Sequence, residues 1–308
     1  MGGWRIQMAL GATAFLAVAL GAIARSPKPP EIRTSDVDLF YRIYDASRGK
    51  PTAETLDRDY IQGGSDGVRQ FVPDRIRSGD ALAKTIADNP DVYEGARRCQ
   101  ADLPAVQRRL SQAFGKLAVI APEATFPPVT ILIGRNNSGG TTGKSGVLIG
   151  LEVVCRSTWL QANVEDRLVH LIMHEYGHVE QFPDGGEDAH PDTVLSQSLV
   201  EGEAELVAEL TTGEVSEVHL QRWTKGHEKQ IDEAFLAQAD SRDLKPWLYN
   251  GVGTPEKPGD LGYWVGYRIA KAYYLPARDK RAALRALLAL KDPKAILAQS
   301  GWHPGDRE

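Results

Sequence analysis

The chain is expected to fold as an α+β protein, mostly α-helical, with a small antiparallel sheet and a helical C-terminal part. Three observations predict this. Apolar residues recur at helical spacing over much of the length, as in Leu103, Val106, Leu110 and Phe114. Short β-branched runs cluster in one region, "PPVTILIG" (127–134) and "GVLIGLEVV" (146–154). The composition, 42% hydrophobic and 25% charged over 308 residues, is that of an ordinary globular chain.

Residues 1–24 stand outside that fold. "MGGWR" gives a short positive start, "IQMALGATAFLAVALGAIA" is apolar apart from Gln7, and Ala22-Ile23-Ala24 has the A-x-A pattern of a cleavage site. The segment reads as a secretory signal peptide or as an uncleaved membrane anchor. On either reading the body is exported, periplasmic or secreted, or tethered to the membrane by residues 6–24. Residues 25–35, "RSPKPPEIRTS", form a Pro-rich linker. Residues 36–303 then read as one domain: a helical N-terminal part (36–120), a part with the sheet and two site helices (121–215), and a helical C-terminal part (216–303).

A net charge of −5 with no long basic block argues against a nucleic-acid partner. Cys99 and Cys155 suit a disulfide in an oxidising compartment, and equally two separate buried thiols. Neither lies in a C-x-x-C pair.

The two strand-like runs read as a hairpin or as adjacent strands around "RNNSGGTTGKS". That loop resembles a phosphate-binding loop, but the first glycine of the pattern would fall at Ser138. A strand-like run also follows where a helix is required. No nucleotide is expected.

The next element, "VEDRLVHLIMHEYGHVEQF", predicts a helix over 164–182, with Asn163 and Asp166 as cap and reciprocal partner and Pro183-Asp184-Gly185-Gly186 as the stop. His174 and His178 are four apart, so they share a face and can direct two ring nitrogens at one zinc ion. Glu175 lies ~100° around the helix and flanks the ion, where it can hold a water. Catalytic zinc takes three protein ligands and keeps one position open. His170 is ~12 Å from His178 along the axis, too far for both to reach one ion past His174.

The third ligand has several candidates. The metzincin pattern requires glycine at 181 and histidine at 184, where this chain has Gln181 and Asp184. Asp184 and His190 are therefore weaker choices. A second helix, "PDTVLSQSLVEGEAELVAELTTG", has Pro191 in its first turn and closes at Gly213. Glu201 and Glu205 share one face of this otherwise apolar helix, and two carboxylates on a buried face require a cation or donors. Glu201 is the favoured third ligand. Glu205 is placed to accept the other ring N–H of a ligand histidine. Glu203 and Glu209 read as a solvated acidic face. Gly202 and Ala204 are small enough to let the two helices approach.

H-E-x-x-H followed by E-x-x-x-D/E on a second helix resembles the gluzincin signature. More closely, "ILIGRNNSGGTTGKSGVLIGLEV", "HEYGHVEQF", "SLVEGEAELVAELTTG", "WLYNG" and "DLGYWVGYRIAKAYY" resemble a group of exported predicted zinc-dependent proteases. The resemblance implies a zincin-like fold with the sheet beside the H-E-x-x-H helix. It also implies one zinc ion on His174, His178 and Glu201, Glu175 as general base, and a peptide or protein substrate. Glu205 departs from the pattern, since thermolysin-like members carry Asp there.

Such chemistry is helped by a second donor to the oxyanion. Tyr263 and Tyr267, four apart on the "GYWVGY" helix, are the candidates, and Arg268 is a weaker one for a substrate carboxylate. By the same analogy, strand "VTILIG" would lie along the cleft rim with the loop Asn136–Gly140 near the site. Two other readings fit the motif: a zinc hydrolase of another amide, such as a cell-wall peptide, and a zinc-stabilised binding protein without turnover. Glu175 argues against the latter, because a structural site needs no base.

Overall fold

Among the described residues, one four-stranded sheet and the helices packed around it make up the fold. The computed structural model describes residues 29–157, 162–183, 190–215, 217–251, 253–254 and 256–307. The N-terminal segment 1–24 and the candidate ligand Asp184 lie outside the described residues. No helix among the described residues is long and apolar enough to cross a membrane.

The strands are β1 (Ile32–Arg33), β2 (Val129–Leu132), β3 (Gly140–Gly143) and β4 (Gly146–Gly150), in the order β1-β2-β4-β3. β2 runs parallel to β1 and to β4, with Val129 opposite Val147 and Leu132 opposite Gly150. β3 runs antiparallel to β4. The sheet is therefore mixed, and the two apolar runs are neighbours without forming a hairpin. Every residue of β2 and β4 is buried, which is why both read as unbroken apolar runs.

The hairpin is β3–β4, and β3 is the Gly/Thr stretch whose sequence mimics a phosphate loop. At its turn Gly146 has φ +104°, and a Cβ there would stand 2.1 Å from the Pro128 carbonyl oxygen. Glycine meets both demands. The second apolar run also ends early as a strand, since Leu151–Arg156 is helical. A short apolar run does not distinguish the two states by periodicity. Glu152 anchors the changeover: its fully buried carboxylate accepts the Gly134 and Asn136 N–H groups, both at 3.0 Å.

Three longer helices carry the candidate site: the histidine helix Val164–Gln181, the glutamate helix Val194–Thr212 and the tyrosine helix Leu261–Tyr274. Asn163 caps the first through the N–H groups of Glu165 and Asp166. The Asp166 side chain pairs with Arg109. Thr193 caps the second, two residues after Pro191, and Gly213 ends it at φ +96°.

Small residues set the spacing of the three. A Cβ on Gly177 would lie 2.6 Å from Ala204 Cα, and one on Gly202 would lie 2.1 Å from the Gly266 carbonyl carbon. The helices thus meet backbone to backbone at the level of His174, His178, Glu201 and Glu205, which is what brings their side chains together. Finally, Cys99 and Cys155 are bonded, with Cα atoms 6.1 Å apart, joining helix Pro90–Cys99 to helix Leu151–Arg156.

Candidate metal centre

His174 and His178 point the same way from their helix, and Glu201 faces them from the next. Their Nε2 atoms are 3.1 Å apart, and each is 3.3 Å from Glu201 Oε2. A tetrahedral ion with bonds of ~2.0–2.1 Å requires donors roughly 3.3–3.4 Å apart. The three donors meet that spacing, and the set of two imidazoles and one carboxylate suits zinc. Among the described residues this is the one group of three His, Cys, Asp or Glu side chains arranged to hold a metal.

The electrostatics show the same demand for a cation. Burial opposes charge on all three groups, and the neighbours outweigh it. Glu205 and Glu201 hold the His174 imidazole well above its usual range, and Glu201 raises that of His178. The two imidazoles in turn hold the Glu201 carboxyl below the ordinary carboxylate range.

Each ring is also held from behind. His174 Nδ1 is 2.9 Å from Glu205 Oε1, so the longer arm of Glu205 reaches the ring. His178 Nδ1 is 2.7 Å from Gln181 Oε1. Tyr263 stacks on His174, with ring centroids 6.3 Å apart and planes 18° from parallel.

Glu175 lies on the other flank of the histidine helix and faces the β3 hairpin. Its Oε2 accepts the Thr142 hydroxyl at 2.9 Å. A Cβ on Gly140 would stand 2.4 Å from Glu175 Oε1, so the carboxylate occupies the space that a side chain there would fill. Glu175 and His174 line a cavity of about 230 Å³ whose walls include Gly139, Gly140, Val154, Leu171 and Tyr263.

Several expected placements change. β2 is interior, and the edge strand beside the histidine helix is β3. The loop Asn136–Gly140 reaches the cavity through its last two glycines. Tyr267 does not face the cluster: it is buried, and its hydroxyl joins Glu209 at 2.8 Å and Lys271 at 2.8 Å. Side chains four apart diverge by ~40° around a helix, enough for Tyr263 and Tyr267 to serve different neighbours. Arg268 is committed to Asp232 in a buried pair, 2.7 Å apart. Glu203 is 1% exposed and so is no part of a solvated face, and Glu209 is held by Lys271. His190 packs on Phe182. His170 is buried beside Thr212, with its Nδ1 3.2 Å from that hydroxyl.

Three polar groups at the centre were not predicted: Gln181, Thr142 and Tyr249. Tyr249 is 56% exposed, and its hydroxyl donates to Glu201 Oε1 at 2.9 Å. Its backbone is left-handed (φ +55°), uncommon for a tyrosine. Reciprocal bonds between Asn250 and Asp260, 3.0 and 2.7 Å, clasp the loop that presents it.

Compared with known families, residues 109–295 match the model described as Predicted Zn-dependent protease (DUF2268). No curated protein and no solved structure matches the chain.

Proposed function

The chain belongs to the family of predicted Zn-dependent proteases (DUF2268), and from that membership we propose that it is an exported zinc metallopeptidase that hydrolyses peptide bonds. The observation that carries the proposal is the convergence of His174 Nε2, His178 Nε2 and Glu201 Oε2 at zinc-ligand spacing with a glutamate beside the first histidine. His174, His178 and Glu201 would hold the ion. A zinc ion held there would supply an activated water, its pKa lowered to ~7, and would polarise the scissile carbonyl.

The remaining work falls to the chain's own residues. Glu175 takes the proton of the attacking water and gives it to the departing amine nitrogen. The Thr142 hydroxyl, 2.9 Å from Glu175 Oε2, holds that carboxylate in place. Glu205 Oε1, 2.9 Å from His174 Nδ1, pairs with that ring and orients it. Tyr249 brings a hydroxyl to the cluster and is our candidate for the oxyanion donor, with Tyr263 stacked beneath His174 as its support. The β3 edge gives an extended peptide a strand to pair with, directly beside Glu175. Export is supported by the signal-like N-terminus and by the Cys99–Cys155 bond, which persists in oxidising compartments.

The test uses two variants. Glu175→Gln should bind zinc like the wild type and lose peptide hydrolysis, whereas Glu201→Ala should lose zinc. Hydrolysis by the Glu175→Gln protein at the wild-type rate would overturn the proposed mechanism. Zinc retained in full by Glu201→Ala would move the third ligand elsewhere.

A further inference from the structure

A histidine binds metal through one ring nitrogen only if the proton sits on the other, and which nitrogen carries it is set by the group behind the ring. For His178 that group is Gln181, whose Oε1 is 2.7 Å from Nδ1. An amide side chain presents an acceptor at one end and two donors at the other, and hydrogen-bond partners decide which way it faces.

Here the partners leave one choice. Gln181 Nε2 is 2.8 Å from the backbone carbonyl oxygen of Val200 and 3.2 Å from Glu203 Oε2. The Val200 carbonyl only accepts, so the amide must turn its NH2 toward it. Oε1 then faces His178 and accepts from Nδ1–H. The Nε2 lone pair is left toward His174 and Glu201. Gln181 is buried, so water does not substitute for either bond.

We infer that Gln181 is a positioning residue of the metal centre: the main chain of the glutamate helix, acting through this one amide, fixes the tautomer of His178. Val200 immediately precedes Glu201, so the turn that delivers the third ligand also sets the ring of the second. The two histidines are thereby held by different chemistry, His174 by the Glu205 carboxylate and His178 by a neutral amide. The inference rests on the zinc reading above and extends it to a residue outside the ligand set.

The experiment compares zinc affinity, by chelator competition, in wild type, Gln181→Leu and Gln181→Glu, alongside thermal stability. It also records the nitrogen NMR shifts of the His178 ring in the zinc-loaded wild type. Gln181→Leu removes both ends of the amide. Gln181→Glu keeps an acceptor for His178 whatever becomes of the Val200 contact. Zinc affinity should fall about 10–100-fold in the leucine variant and recover most of that loss in the glutamate variant. Thermal stability should stay below wild type in both, because the amide donor to Val200 is gone from each. The wild-type His178 ring should carry its proton on Nδ1.

The inference is overturned if the leucine variant binds zinc as tightly as wild type, if the glutamate variant is as weak as the leucine one, or if the proton lies on Nε2. A wild type that takes up no zinc would instead remove the metal reading on which the inference stands.

Discussion

Gly140 and Glu175 share one space: a Cβ at position 140 would lie 2.4 Å from the Glu175 Oε1 atom. The strand that borders the cavity is therefore glycine where the proposed base stands; Gly140 lies outside the left-handed region, and the three atoms nearest the new Cβ all belong to the Glu175 side chain. Gly140→Ala should displace the carboxylate and leave the three ligands in place. The expected outcome is zinc content like wild type with kcat lower by about 10–100-fold, since misplacement of ~1 Å costs on that scale. Metal analysis and steady-state kinetics on the same preparation check it.

Tyr249 and Tyr267 should separate in their effects. Tyr249→Phe removes the hydroxyl at Glu201 and should lower kcat/KM by about 100-fold, the size seen when one oxyanion donor is lost, with zinc retained. Tyr267→Phe removes the bonds of its hydroxyl to Glu209 and Lys271, outside the ligand cluster. It should leave kcat/KM near wild type and cost about 1 kcal/mol of stability.

The helix contacts predict a contrast between two glycines. Gly202→Ala places a methyl 2.1 Å from the backbone of Gly266 and Tyr267, which no side-chain rotation relieves. It should cost about 1–3 kcal/mol, or more if the helices separate, and weaken zinc binding as Glu201 moves. Gly115→Ala, in the helix Leu103–Ile120 with no atom within 4 Å of the new Cβ, should instead gain about 0.5–1 kcal/mol. Thermal unfolding of both variants tests the pair.

The stability of the fold should also depend on Glu180. Burial pushes its carboxyl up to about 7, partly offset by the Thr125 N–H that it accepts. The unfolded chain releases this proton near pH ~4.3. Between those values the native state binds the extra proton, so its advantage shrinks as pH rises through the window and is gone above it. Glu180→Gln keeps an acceptor for Thr125 without the charge. Its advantage over wild type should be small at pH ~4.5 and grow to about 1–3 kcal/mol by pH ~8. Denaturant titrations at both ends of the range measure this.

What the sequence displayed was local. The i,i+4 spacing of His174 and His178, and of Glu201 and Glu205, encodes a shared face without reference to the rest of the chain, and the helix caps Asn163 and Thr193 lie within three residues of what they cap. What it concealed depended on distant partners. Gln181 is one polar residue among many until Val200 turns its amide. Tyr249 reaches Glu201 across 48 residues. β3 is a glycine-threonine stretch with no β-branched apolar pattern, and only its pairing to β4 makes it a strand. Tyr267 shows the converse, a spacing that pointed at the site while Glu209 and Lys271 held the side chain elsewhere.

The Cys99–Cys155 bond spans 56 positions of chain, and inside that span lie the β3–β4 hairpin and its turn at Lys144–Ser145. With the proposed activity each molecule would be exposed to cleavage by its neighbours, and a scission anywhere from residue 100 to 154 would leave two polypeptides still joined through sulfur. Such a nicked molecule would run at full size on a non-reducing gel and fall into two bands only once a thiol is added.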